Sequence, residues 1–102
     1  MSMELSGSEC IEFLKGKRCN VVDVRSVEDF NRGHLPDAKH LDILASNAAQ
    51  IIANLPKEES YLVYCTSGFR SRSAIKLMES LAFSSLYHLS DGLLDYEGPL
   101  FL

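Results

Sequence analysis

In Tyr61-Leu-Val-Tyr-Cys65-Thr-Ser-Gly-Phe-Arg70-Ser-Arg-Ser73, a short apolar run ends in a cysteine. A tight polar loop with one glycine follows, and a helical pattern begins at once. Ala74, Leu77, Met78 and Leu81 recur at i, i+3, i+4 and i+7, the period of an amphipathic helix over 71–82. The run before the cysteine is too short for a helix and reads as a buried strand. A cysteine at such a strand-to-helix turn lies among backbone N–H groups that converge on one spot, at the positive end of a helix. Both effects stabilise an anion, and a thiolate is an anion. Such surroundings lower a thiol pKa and make a nucleophile.

Outward from this stretch, strands and helices alternate. Met3–Leu5 reads as a short first strand. Ser6 with Glu9 has capping-box spacing, and Ile11, Phe13 and Leu14 mark a helix that Gly16 ends. Asn20–Val24 is nearly continuous and β-branched, as a strand buried on both faces requires. Ser26 and Asp29 suggest a capped helix through Phe30 to about Arg32. Gly33–Ala38 is a loop, because Pro36 forbids helix. Lys39–Leu41 reads as a short strand. Leu44 to Leu55 is predicted to be helical, with Leu44, Ala48, Ile51, Ile52 and Leu55 on its apolar face. Ser85–Leu89 is a last strand, Asp91-Gly92 turns the chain, and 93–97 is a short helix. Four or five such alternations imply a parallel sheet covered on both faces.

The chain has 102 residues, enough for one domain spanning 1–102 and too few for two. Apolar residues make up 46%, which supports a sizeable core. The net charge of −4, with no basic block, argues against nucleic acid and against an anionic membrane surface. No apolar run approaches the roughly 20 residues of a membrane span. The acidic N-terminus does not resemble a secretory signal. Cys10, Cys19 and Cys65 are odd in number and widely spaced, without a C-x2-C pair. Cys10 and Cys19 read as small hydrophobes, and the usage fits a reducing, cytoplasmic location.

In open α/β sheets ligands bind at the carboxyl ends of strands, where Cys65 is expected. Gly68 lets the backbone turn tightly and bring its amides around the site. Thr66, Ser67, Ser71 and Ser73 are small hydroxyl residues that keep a pocket open, and Arg70 adds a permanent positive charge at its rim.

Four separated motifs resemble those of single-domain rhodaneses, members of the rhodanese-like sulfurtransferase superfamily. Asp23-Val-Arg25 resembles the family's strand-end D-[VT]-R. Glu28-Asp-Phe30 with Gly33-His-Leu-Pro36-Asp-Ala38 resembles E-[FY]…G-H-I-P-G-A. Cys65-Thr-Ser-Gly-Phe-Arg70-Ser71 resembles the active-site loop C-x-x-G-x-R-S. Leu89-Ser-Asp91-Gly92 through Tyr96 resembles the closing L-x-G-G…W segment. Asp37 and Asp91 stand where the pattern has glycine, and Tyr96 where it has tryptophan. The resemblance implies a three-layer α/β fold, with a central, mainly parallel five-stranded sheet and helices on both faces.

It also implies a chemistry. Cys65 would attack the outer sulfur of a small anionic donor such as thiosulfate and carry it as a persulfide. The loop from Thr66 through Ser67, Gly68, Phe69 and Arg70 to Ser71 would hold that sulfur. A thiophilic acceptor (cyanide, a thiol or a protein cysteine) would take it. No metal or organic cofactor is implied. Asp23 and Arg25 are expected to brace the loop, and Arg72 to meet a carboxylate or the pocket edge. His34, His40 and His88 are not at evident base positions. A cysteine phosphatase or arsenate-reductase-like relative is the main alternative, but phosphatases of this kind use C-x5-R. Here the count is C-x4-R, a smaller cradle that suits sulfur better than phosphate. A non-enzymatic, regulatory rhodanese-like domain is the second alternative; such domains often lack the cysteine.

Overall fold

A computed structural model of the chain describes residues 2–16 and 19–102; Met1, Lys17 and Arg18 lie outside the described residues. Five strands, β1 (Ser2–Leu5), β2 (Asn20–Asp23), β3 (Lys39–His40), β4 (Ser60–Tyr64) and β5 (Ser85–Leu89), form one sheet in the order β1-β5-β4-β2-β3. Every pairing is parallel. The helices are α1 (Gly7–Gly16), α2 (Val27–Arg32), α3 (Ala48–Ala53) and α4 (Phe69–Ser80), with a 3-10 turn at Gly92–Asp95.

β4 is the middle strand, and the two-residue side-chain period divides it between two cores. Tyr61 and Val63 pack with Ala48 and Ile52 of α3 and Ala74, Ile75 and Met78 of α4. Leu62 and Tyr64 face the opposite core, with Cys10, Phe13 and Leu14 of α1 and with Leu93 and Tyr96. Leu62, Val63 and Tyr64 are all fully buried. Each aliphatic side chain so enclosed contributes about 1.5–3 kcal/mol relative to an exposed one. A strand closed on both faces is held rigidly, and Cys65 is the residue that leaves its carboxyl end.

The helix starts follow the predicted caps. Ser6 Oγ accepts from the Glu9 N–H at 3.2 Å while Glu9 Oε1 accepts from the Ser6 N–H at 2.8 Å. Ser26 Oγ accepts from the Asp29 N–H at 3.2 Å. Two predicted spans are corrected. The helix read over 44–55 covers only Ala48–Ala53. Asp42 Oδ1 takes the Leu44 N–H at 2.9 Å, and the Ala45 and Ala48 N–H groups close turns onto the Asp42 and Ala45 carbonyls. A short polar side chain thus competes with helix for the backbone, and Leu44 and Ile51 are exposed rather than part of a buried face. In contrast, α4 starts at Phe69, two residues earlier than the periodicity predicts. Arg70 and Ser71 are therefore inside its first turn, whereas Arg72 lies beyond the first three positions.

Candidate active site

The β4–α4 turn is built by one glycine. Gly68 caps α4 in the left-handed region, at φ 92°, where an L side chain is strained. A Cβ there would also lie 1.9 Å from the Ser90 carbonyl oxygen. With this turn the chain doubles back on Cys65. Its Sγ accepts the Gly68 N–H at 3.1 Å and the Ser71 N–H at 3.3 Å, and the Ser71 hydroxyl lies 3.3 Å away. The amides of Phe69 and Arg70, at the first two helical positions, have no intrahelical acceptor by position.

Burial pushes the Cys65 thiol up, since it is only 3% exposed. The hydroxyl and N–H of Ser71, with the N–H groups of Gly68 and Ser67, pull the other way and prevail. The thiol therefore ionises below its ordinary value. Hydrogen bonds to a charged acceptor are about twice as strong as neutral ones, which explains how four donors overcome desolvation.

Arg25, Asp29, Thr66, Ser67, Phe69 and Arg70 line the cleft into which Cys65 opens. Of the residues singled out from sequence, Cys65, Thr66, Ser67, Phe69, Arg70 and Arg25 thus line one cleft. Gly68 and Ser71 are buried against the sulfur. Asp23 lies beneath Arg25, fully buried. Its carboxylate accepts the Arg25 Nε and Nη2 groups at 3.0 and 2.7 Å, the Arg25 backbone N–H at 2.9 Å and the Tyr64 hydroxyl at 2.7 Å. The Arg25 Nη2 also donates to the Gly33 carbonyl at 2.7 Å. Asp23 and Tyr64 are register partners on β2 and β4, so this network ties the ends of two neighbouring strands together beside the cysteine. Arg72 does not reach a carboxylate in the hydrogen bonds described. Its guanidinium is 3.5 Å from the Ser90 carbonyl, at the limit of a hydrogen bond.

The turn after β5 buttresses the loop from the far side. The Leu93 and Leu94 N–H groups donate to the Cys65 and Thr66 carbonyls, each at 3.1 Å. Gly92, at φ 67°, permits this approach, because a Cβ would sit 2.3 Å from the Thr66 carbonyl oxygen. The departures from the family pattern cost little here. Asp91 has φ −105°, which any residue adopts. Asp37 takes φ 60°, a conformation aspartate tolerates better than most residues.

One residue that the sequence reading leaves without a role is brought to the site. His88 of β5, 1% exposed, has Nε2 at 2.6 Å from Ser71 Oγ and Nδ1 at 2.8 Å from Glu4 Oε1. The strand period was a usable signal: Leu86 faces α4, so His88 does too. Its partners depend on the β1–β5 register and on the start of α4, which no local pattern reveals.

Comparison with known proteins gives the family and the fold. The model of the rhodanese-like domain family matches residues 6–98. The thiosulfate sulfurtransferase GlpE of Pseudomonas putida is 32% identical over 84 residues, covering 82% of this chain and 74% of that protein. The probable adenylyltransferase/sulfurtransferase MoeZ of Mycobacterium tuberculosis is 27% identical over 78 residues, covering 76% of this chain. The chain spans only 20% of that much longer relative. Among solved structures, a rhodanese-like domain protein from Staphylococcus aureus superposes with a TM-score of 0.82. It is 23% identical, with 98% of this chain and 97% of that one covered, and the likeness concerns the fold.

Proposed function

The chain belongs to the rhodanese-like domain family, and on that premise we propose that it is a sulfurtransferase working through a persulfide on Cys65. The observation that carries the reading is the buried sulfur held by the Gly68 N–H and by the N–H and hydroxyl of Ser71, with its pKa lowered. A thiolate is the nucleophile that sulfane-sulfur chemistry needs. Cys65 Sγ attacks the outer sulfur of a donor such as thiosulfate. The donor's S–S bond breaks and its electron pair leaves with sulfite. The new terminal sulfur carries negative charge, and the first-turn amides of α4 are the donors available to it. An acceptor thiolate, or cyanide in an assay, then attacks that terminal sulfur, and Cys65 departs as thiolate. Arg70, on the cleft wall, attracts the anionic donor, and Arg25, held by Asp23, adds a second cation to the same cleft.

The name of the GlpE relative and the C-x4-R count support sulfur over phosphate. Cellular acceptors in this reading are thiols or protein cysteines, in a reducing compartment such as the cytoplasm. The test is intact mass after incubation with thiosulfate, polysulfide or glutathione persulfide. A gain of one sulfur atom is expected, and none in Cys65→Ala. Absence of any gain with every donor, or hydrolysis of an aryl phosphate that Cys65→Ser abolishes, would overturn the proposal.

A further inference from the structure

Behind the cysteine runs a chain of hydrogen bonds that sulfur transfer does not by itself require. Cys65 Sγ is 3.3 Å from Ser71 Oγ, Ser71 Oγ is 2.6 Å from His88 Nε2, and His88 Nδ1 is 2.8 Å from Glu4 Oε1. Cys65, Ser71 and His88 are buried, whereas the Glu4 side chain is 49% exposed. The chain thus leads from the nucleophile to solvent through the sheet edge. Glu4 and His88 are register partners on β1 and β5, so backbone pairing fixes their contact. The other strand beside β5 presents Val63 at this register. From α4, Ser71 reaches the ring, and the neighbouring Arg72 directs its guanidinium to the Ser90 carbonyl.

Proton counting gives this chain a direction. A carboxylate only accepts, so Glu4 holds the hydrogen of the ring on Nδ1. In the neutral ring, Nε2 is then a bare acceptor. It takes the single Ser71 hydroxyl proton, and Ser71 Oγ can only accept from Cys65, which must be a thiol for that contact to be a hydrogen bond. In the imidazolium, Nε2–H donates to Ser71 Oγ. The Ser71 proton is released to donate to the Cys65 thiolate, with the Gly68 carbonyl at 3.2 Å its competing acceptor. Ser71 therefore supports the thiolate fully only when His88 carries a proton.

We infer that His88, oriented by Glu4 and acting through Ser71, takes up the proton that Cys65 loses and so sets the ionisation of the nucleophile. The Sγ–H bond breaks as a proton reaches Ser71 Oγ. The original Ser71 O–H bond breaks as its proton forms an N–H bond at His88 Nε2. No proton is lost to solvent, and the products are a thiolate and an imidazolium, the latter paired with Glu4. His88 touches neither donor nor acceptor and is a positioning residue, with Glu4 supporting it. The inference rests on the proposed role of Cys65 as nucleophile and needs no particular sulfur donor.

The test follows the ultraviolet thiolate absorbance of the full chain against pH, with the signal of Cys65→Ala subtracted to remove Cys10 and Cys19. In His88→Gln, which can bond Ser71 but not take up a proton, the Cys65 titration is expected to move up by about one pH unit. That corresponds to about a tenfold loss of thiolate at neutral pH. Glu4→Gln, at a half-exposed strand edge, should shift it the same way by less. It keeps the inference testable if His88→Gln fails to fold. Ser71→Ala should remove the effect, so that Ser71→Ala with His88→Gln titrates as Ser71→Ala alone. An unchanged Cys65 titration in a folded His88→Gln, or in Glu4→Gln when the former does not fold, would overturn the inference. Full additivity with Ser71→Ala would do so as well. Loading by thiosulfate, read separately by mass, reports on sulfur transfer itself.

Discussion

Cys10 and Cys65 are both buried cysteines, one on each side of the sheet, and their surroundings drive them in opposite directions. Cys10 sits in α1 among Leu5, Val21, Leu62 and Tyr64, with no exposure at all. Burial raises its thiol to about 11. Cys65 is almost as enclosed, and burial raises it too, but the donors of the β4–α4 turn reverse the sign. Enclosure alone favours the thiol; enclosure inside a cradle of N–H groups favours the thiolate. The consequence for stability follows the same signs. The fold favours the Cys65 thiolate, so that contribution is present above the unfolded thiol's value of about 8.5 and is lost as pH falls through the folded value. The fold favours the Cys10 thiol, so ionisation there weighs against folding as pH rises from about 8.5 towards about 11.

The largest way to break this contrast is Gly68→Ala. A left-handed cap and a Cβ 1.9 Å from the Ser90 carbonyl oxygen cannot both be accommodated, so the loop must shift. Sulfur loading of Cys65 is expected to fall by a hundredfold or more, and thermal unfolding to show a loss of about 3 kcal/mol. A variant that loads sulfur normally would mean that the turn geometry is not what activates the cysteine. Ser71→Ala is milder, because the backbone N–H survives. The rate of Cys65 alkylation at neutral pH should drop about tenfold, the value of one hydrogen bond to a charged group. Arg70→Ala is expected to be smallest. Its charge is solvent-exposed, so the loss should be about two- to fivefold in kcat/KM for thiosulfate. It should shrink further at high salt and vanish with an uncharged donor.

Most of the frame that makes the two cysteines different was legible in the chain. Asn20–Val24 and Tyr61–Tyr64 announce buried parallel strands by continuous β-branched and aromatic residues. Ser6 and Ser26 announce helix starts by caps that form as read. The family motifs drew Asp23, Arg25 and the whole loop towards Cys65. What escaped the sequence depended on competition or on register. Leu44 fits a helical apolar face, but Asp42 bonds the Leu44 backbone first and leaves the side chain in solvent. The periodicity puts Arg72 in the first three positions of α4, where a carboxylate or the pocket edge is expected to meet it, because it places the start of that helix two residues late. His88 stands at no evident base position in the sequence. Its two partners come from positions 4 and 71, brought together only when β1 pairs with β5 and α4 packs across them.

Peptide-resolved alkylation by iodoacetamide as a function of pH tests the contrast most directly, because it reads both thiols in one sample of native protein. The Cys65 peptide is expected to be modified below the ordinary thiol value of about 8.5, its rate falling only as pH passes through the lowered Cys65 pKa. The Cys10 peptide should stay unmodified until the chain is unfolded. If Cys65 reacts only above that ordinary value, or if Cys10 reacts alongside it at neutral pH in the folded chain, the loop does not create the nucleophile and the account is wrong.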